Sequence, residues 1–147
     1  MGEELKRMST GEEEQIRTKM FLYFSECPHI PAGISLKYGD LVEDSIGFFS
    51  RQGSGAYLKK YVDGTFEAQY PFFLRYRAKP TSNNSRLKAE EILTQVAGWM
   101  CARKNYPALE DNRAVEDIDA GNVYIVGKDD DGSVDYQVNM TLNYMKG

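Results

Sequence analysis

The stretch Tyr57-Leu58-Lys59-Lys60-Tyr61-Val62-Asp63-Gly64-Thr65-Phe66, continuing through Arg77, decides the fold. Two runs rich in aromatic and apolar residues flank Asp63-Gly64, a dipeptide that accommodates the positive φ of a tight chain reversal. The pattern predicts a hairpin with strands over 57–62 and 66–77. A second long run lies at the other end of the chain, from Ser133 to Tyr144. There Val134, Tyr136, Val138, Met140, Leu142 and Tyr144 alternate with Asp135, Gln137, Asn139, Thr141 and Asn143. A strict period of two marks a strand with one dry face and one wet face. Shorter strand candidates are 34–36, 45–50 and 122–126.

Two segments change period from two to that of a helix. Thr10 precedes Glu13 at capping-box spacing, Glu12, Glu13 and Glu14 crowd the first turn, and Ile16, Met20, Tyr23 and Phe24 recur on one side. A helix over 11–26 is expected, ended by Pro28, with residues 1–10 loosely held. Ser82-Asn83-Asn84-Ser85 offers caps for a second helix, whose apolar face reads Ala89, Ile92, Leu93, Val96, Trp99 and Met100 and which ends near Pro107. No internal repeat is visible in the sequence. Together these signals predict one α+β domain over 1–147: an antiparallel sheet of about four to five strands with two helices packed on one face.

Composition narrows the class. With 147 residues, 41% hydrophobic and 27% charged, the chain has the size and balance of one folded domain. It has no apolar run long enough for a membrane span, and the acidic start lacks the apolar core of a secretory signal, so synthesis in the cytoplasm without export by the usual route is expected. Two cysteines, Cys27 and Cys101, make no disulfide framework, and one histidine, His29, excludes His-rich metal sites. The net charge of −4 hides an asymmetry. Residues 51–104 carry ten basic and four acidic side chains, and residues 105–147 carry three and nine. Such halves can attract one another between neighbouring copies.

Motif by motif, chemistry is weakly supported. Gly53-Ser54-Gly55-Ala56-Tyr57-Leu58 matches neither a P-loop nor a dinucleotide turn, and reads as a mobile loop. Asp129-Asp130-Asp131-Gly132 lacks the ligand spacing of a calcium loop, because Gly127 and Val138 fall where the first and last ligands belong. It reads as a hairpin turn. No catalytic residue, cofactor or metal ligand is assigned. What remains is a basic stripe: Arg75, Arg77 and Lys79 share a strand face, with Lys59 and Lys60 across the turn. It is either a solvated strand face or a surface for phosphate or an acidic neighbour.

The run of these segments adds a likeness. Helix, "CPHI", "YLKKYVDGTFEAQYPFFLRYRA", a helix with "VAGWM", "NYPALEDNRAVEDIDAGNVYIVG" and a closing "VDYQVNMTLNYM" resemble, over nearly the whole chain, the small minor capsid proteins of phages and prophages of Gram-positive bacteria. That family is similar to the tail-terminator, or tail-completion, proteins of long-tailed phages. The resemblance implies a non-enzymatic virion protein that forms a homo-oligomeric ring, typically a hexamer, at the head-proximal end of the tail tube. There it stops tail growth and meets the tail tube protein and the head–tail connector or neck proteins. In that setting Gly53, Ser54, Gly55, Lys59, Lys60, Arg75, Arg77 and Lys79 become candidates for the lumen or docking surface, past which DNA moves without specific or lasting contact. No membrane and no cofactor are implied. Two alternatives stay open: a head-side minor capsid or head-completion protein, and a small metal-dependent nuclease or hydrolase.

Overall fold

The computed structural model describes residues 7–51 and 55–147. The predicted loop residues Gly53 and Ser54 lie outside that set. Among the described residues the architecture is α+β, in the order α1 (Thr10–Ser25), β1 (Ser35–Tyr38), β2 (Ser45–Ser50), β3 (Ala56–Lys60), β4 (Phe66–Ala78), α2 (Asn83–Cys101), β5 (Arg113–Ala120), β6 (Tyr124–Lys128) and β7 (Val134–Lys146). A single 3₁₀ turn, Arg103–Asn105, follows α2.

The two long alternating runs form the spine. β4 and β7 pair antiparallel along their whole length, from Phe66 opposite Lys146 to Ala78 opposite Val134. One face of this ribbon carries Ala68, Tyr70, Phe72, Leu74, Tyr76 and Ala78 beside Val134, Tyr136, Val138, Met140, Leu142 and Tyr144, all buried. Each strand then takes two short partners on its free side. β2 pairs with the C-terminal half of β4 and β3 with its N-terminal half; β6 and β5 do the same for the two halves of β7. Pro71 sits in the middle of β4, where a missing N–H would normally break a ladder. It is tolerated because its carbonyl side, and hence its missing donor, faces the interval between β2 and β3, where only the Arg51 amide reaches it, at 3.3 Å.

The sheet has seven strands rather than four or five, and it is mixed, since β1 lies parallel to β2. The missed strand is β5. Its sequence, Arg-Ala-Val-Glu-Asp-Ile-Asp-Ala, carries four charges, and a bulge between Val115 and Asp117 breaks the alternation that would have revealed it. In β2, Gly47 is obligatory, because a Cβ would sit 2.4 Å from the Asp40 carbonyl and 2.6 Å from the Phe49 ring.

The structure also contains a repeat that the sequence reading did not find. Tyr61 N–H bonds the Thr65 carbonyl and Gly64 N–H bonds Tyr61, with Gly64 at φ +91°; Asp129 N–H bonds Ser133 and Gly132 N–H bonds Asp129, with Gly132 at φ +92°. Both are three-residue loops closed by a left-handed glycine, and the first is the reversal expected at Asp63-Gly64. In each, the aspartate before the glycine accepts the amide of the residue after it, Thr65 at 3.0 Å and Ser133 at 2.9 Å. Both incoming strands carry a bulge at the same place, between Tyr57 and Lys59 and between Ile125 and Gly127. The units helix–β2–β3–β4 and helix–β5–β6–β7 are thus two versions of one motif, related by a pseudo-two-fold axis between β4 and β7. Side-chain identity has drifted too far for the period to show.

Both helices cover the same face. α1 contributes Ile16, Met20, Tyr23 and Phe24, and α2 contributes Ala89, Leu93, Val96, Ala97 and Met100. Ile92 and Trp99, expected on the inner face, lie at its flanks, although the Trp99 ring packs 5.0 Å from Tyr23. The cap of α1 is Ser9, not Thr10, and Glu12 turns inward instead of lying on the surface. α2 is capped by Ser82 as expected and stops at Cys101, before Pro107 can act. Of the ten residues expected to be loose, Met8 is buried at 5% exposure and donates its amide to Gly55, while Arg7 bridges Ala56.

The facing assignment predicts that Val138→Asp, which buries a charge at a fully enclosed position, abolishes the cooperative thermal transition. Asn139→Asp, on the opposite face, is expected to change stability by about 1 kcal/mol or less. Circular dichroism melts of both variants check this.

Candidate functional site

The predicted basic stripe is divided by the fold. Arg75 and Arg77 lie on the sheet face away from the helices, in rows with Gly47, Ser45, Gln137 and Asp135. Arg77 grips Asp135 with two bonds, Nε to Oδ1 at 2.9 Å and the terminal nitrogen to Oδ2 at 3.1 Å. That hydrogen bonding raises the already high guanidinium pKa. Arg75 donates Nε to Gln137 Oε1 at 2.9 Å and lies 5.1 Å from the centre of the Phe73 ring, which is stacked on Phe49 at 5.0 Å. Gln137 in turn donates to Tyr124 and Asn139. Phe73 belongs to this outer face as well.

Lys59 sits on the same face opposite Glu67. It is eight residues along β4 from Arg75, roughly 27 Å of strand. Lys60, the next residue of the strand, points to the other face in the row of Phe66, where its amine lies 5.7 Å from that ring. Lys79 is exposed past the end of β4, against the turn at Gly132. Gly55 is packed against Met8, whose Sδ would be 3.0 Å from a Cβ at that position. The structure therefore keeps Arg75 and Arg77 on one face, each hydrogen-bonded to its own partner on β7, and leaves the three lysines apart.

A second polar cluster was not anticipated. Glu12, 5% exposed, accepts from Tyr144 at 2.6 Å, Lys146 at 2.8 Å and Tyr57, with Arg113 Nε at 3.4 Å. These partners come from β7, β3 and β5, so a single carboxylate ties α1 to three strands. Burial is the strongest single influence and pushes its pKa up, but the hydrogen bonds from Lys146, Tyr144 and Tyr57 together with the lysine charge outweigh it, and the pKa is held below the usual glutamate value. The same burial, and the carboxylate it meets, push the Tyr144 phenol far above its ordinary range. Three acids in the first turn of α1 were legible, but nothing local marked Glu12 as the buried one.

The third feature is a cleft of about 480 Å³ between α2 and the end of β5, floored by Ala97, Gly98, Gly121 and Val123. Cys101 lines it. Burial, with Asp119 and Asp117 nearby, pushes its thiol up to about 11, so the reactive thiolate is scarce at neutral pH. Among the described residues no group of three or more His, Cys, Asp or Glu side chains is arranged to hold a metal ion, and no helix is long and apolar enough to cross a membrane. No protein-family model matches the chain, and no curated protein matches it.

Two measurements follow from these environments. A folded-state pKa below the unfolded one means that Glu12 stabilises fully above the ordinary glutamate pKa of about 4.3 and loses that contribution as pH falls through its lower folded value. Glu12→Gln is therefore expected to cost about 3 kcal/mol at neutral pH, because it strands Arg113 and Lys146. The gap between its melting curve and that of the parent closes as pH drops below 4. Cys101 is expected to resist alkylation by iodoacetamide at pH 7.5 in the folded protein and to react within minutes once unfolded, as mass spectrometry reports.

Proposed function

We propose that this chain is a structural protein of a tailed phage or prophage that assembles as a homo-oligomeric ring, typically a hexamer, at the head-proximal end of the tail tube. It ends tube growth and joins the tail to the neck proteins, with DNA passing without lasting contact. The reading rests on the segment-by-segment likeness of the sequence to the small minor capsid and tail-terminator proteins. One structural observation supports it best: the cations Arg75, Arg77, Arg113 and Lys146 are committed to holding the fold. Arg77 is paired with Asp135, Arg75 is bonded to Gln137, and Arg113 and Lys146 meet on Glu12. A whole sheet face and a sheet edge are left for other surfaces. That is the economy of a subunit, whose work is contact. The exposed lysines Lys59, Lys60 and Lys79 remain the candidates for a weak phosphate-facing surface in such a ring.

Deletion of the gene from an inducible prophage tests this reading. Electron microscopy is expected to show tails of uncontrolled length and filled heads without tails, with restoration by the gene supplied in trans. Tails of normal length beside emptied heads would move the protein to the head side of the neck. Unchanged particles would overturn the virion reading.

A further inference from the structure

The pseudo-two-fold makes β2 the counterpart of β5 and β3 the counterpart of β6, so the four outer strands can be compared like for like. Three have company along their outward side. β1 pairs along β2. The Met8 amide and Arg7 cover the start of β3, whose remaining edge carries Lys59 and Lys60. On β5, the Ile118 amide donates to Tyr106 Oη at 3.1 Å, and Arg103 donates to the Glu116 carbonyl at 3.3 Å. Only β6 has no such cover among the described residues. It exposes Tyr124, Ile125 and Val126 at 43%, 46% and 38%, with one charge, Lys128, at its end. Sheet edges are usually guarded by charge, proline or a covering segment, because an open apolar edge pairs with any strand that fits.

The strand that fits is present in the same molecule. β1 forms the opposite end of the sheet, and the pairing registers put it on the same rows as β6. The helix-side row runs Leu36, Ile46, Tyr76, Tyr136, Ile125, and the next row runs Lys37, Gly47, Arg75, Gln137, Tyr124. β2 runs against β4 and β1 runs with β2; β7 runs against β4 and β6 runs against β7. β1 and β6 therefore point in opposite directions. When successive copies are related by a rotation about an axis along the strands, β1 of one copy meets β6 of the next in antiparallel sense with helix side to helix side. Leu36 and Tyr38, the latter 47% exposed, then fall on the same face as Ile125.

Charge favours this join over two β6 strands meeting about a two-fold. An antiparallel β6–β6 pair sets the acidic turn Asp129–Asp130–Asp131 of each copy near Asp119 and Asn122 of the other. With β1 the same turn faces Pro31-Ala32-Gly33-Ile34, which carries no charge, and Asp40 falls at the other end of the join, beside Asn122 and away from the acidic turn.

We propose that β6 is a strand-addition site for β1 of a second copy of this chain, joining copies head to tail into one continuous sheet. A head-to-tail contact uses two different surfaces and closes into a ring when its rotation permits. The inference deepens the ring reading and rests on it for that closure.

The test uses the full chain carrying Leu36→Cys or Ile125→Cys, each alone and the two mixed, under mild oxidation, beside sedimentation of the parent and of Ile125→Lys. A disulfide in the mixture but in neither variant alone, with association of Ile125→Lys weakened about tenfold or more at unchanged melting temperature, supports the join. Self-linking of Ile125→Cys would overturn it in favour of a two-fold pair. A parent oligomer that Ile125→Lys leaves intact, with no cross-link in the mixture, would overturn the edge assignment while the ring reading stands. A parent that stays monomeric at every concentration would remove both. If Ile125→Lys fails to fold, the cysteine mixture still decides.

Discussion

Everything in this fold hangs on the pairing of β4 with β7. Two strands of thirteen residues each, matched end to end, align the core face of one beside the core face of the other. Tyr70, Phe72 and Leu74 are fully buried beside Val138, Met140 and Leu142, and side chains of this size contribute about 1.5–3 kcal/mol each on leaving water. The contacts are distant in sequence, so the ribbon closes a long loop that contains all of α2. Once it forms, each short strand has a template, and each helix has an apolar floor.

The ribbon ends at the pair Phe66 and Lys146, where the neighbouring elements are the short β3 and β5. Glu12 covers that end. By accepting from residues on β3 and β7 and pairing with Arg113 on β5, it fixes the start of α1 over the end of the ribbon. Two cations and two phenols around one carboxylate satisfy the desolvated charge from several directions, which is the condition under which a buried ion pair is tolerable. The aromatic cap Tyr23 works similarly at the other end of the helix, donating its hydroxyl to the Met100 carbonyl at 2.7 Å and so linking α1 to the last turn of α2.

What the sequence disclosed follows from what each residue type can say locally. The long alternations and the glycine turns were legible because a period of two and a left-handed glycine are properties of a few neighbouring residues. β5 was hidden because its acids face outward on an edge and its bulge shifts the phase. The parallel partner β1 was underestimated because four residues hold too little pattern. The candidate site was legible only as residue types: alternation placed Arg75 and Arg77 on one face, but Asp135 and Gln137, which engage them, come from more than fifty residues away. Lys59 and Lys60 were grouped by adjacency, although the two-residue period of a strand puts neighbours on opposite faces. The internal repeat escaped for the opposite reason. Its signature, Asp-Gly followed by Thr65 or Ser133, is short enough to pass as turn chemistry until both loops are seen to share their hydrogen bonds.

That repeat bears on how the molecule meets others. A two-fold motif built from two equal halves would present equivalent edges and would tend toward symmetric, two-fold pairing. Here the halves have diverged most at their margins. β1 is an addition to one side with no counterpart on the other, and the segment after α2 guards β5 in a way that nothing guards β2 except β1 itself. The outer face diverges too: the β2–β4 side carries Arg75 and Arg77, whereas the β5 side carries Asp117 and Asp119. The core keeps the symmetry because packing the same apolar rows rewards it, while the edges break it. Surfaces that differ from one another within a chain permit contacts between unlike surfaces, and only such contacts propagate beyond a pair. Divergence confined to the margins is therefore what turns a symmetric scaffold into a subunit able to join more than one neighbour.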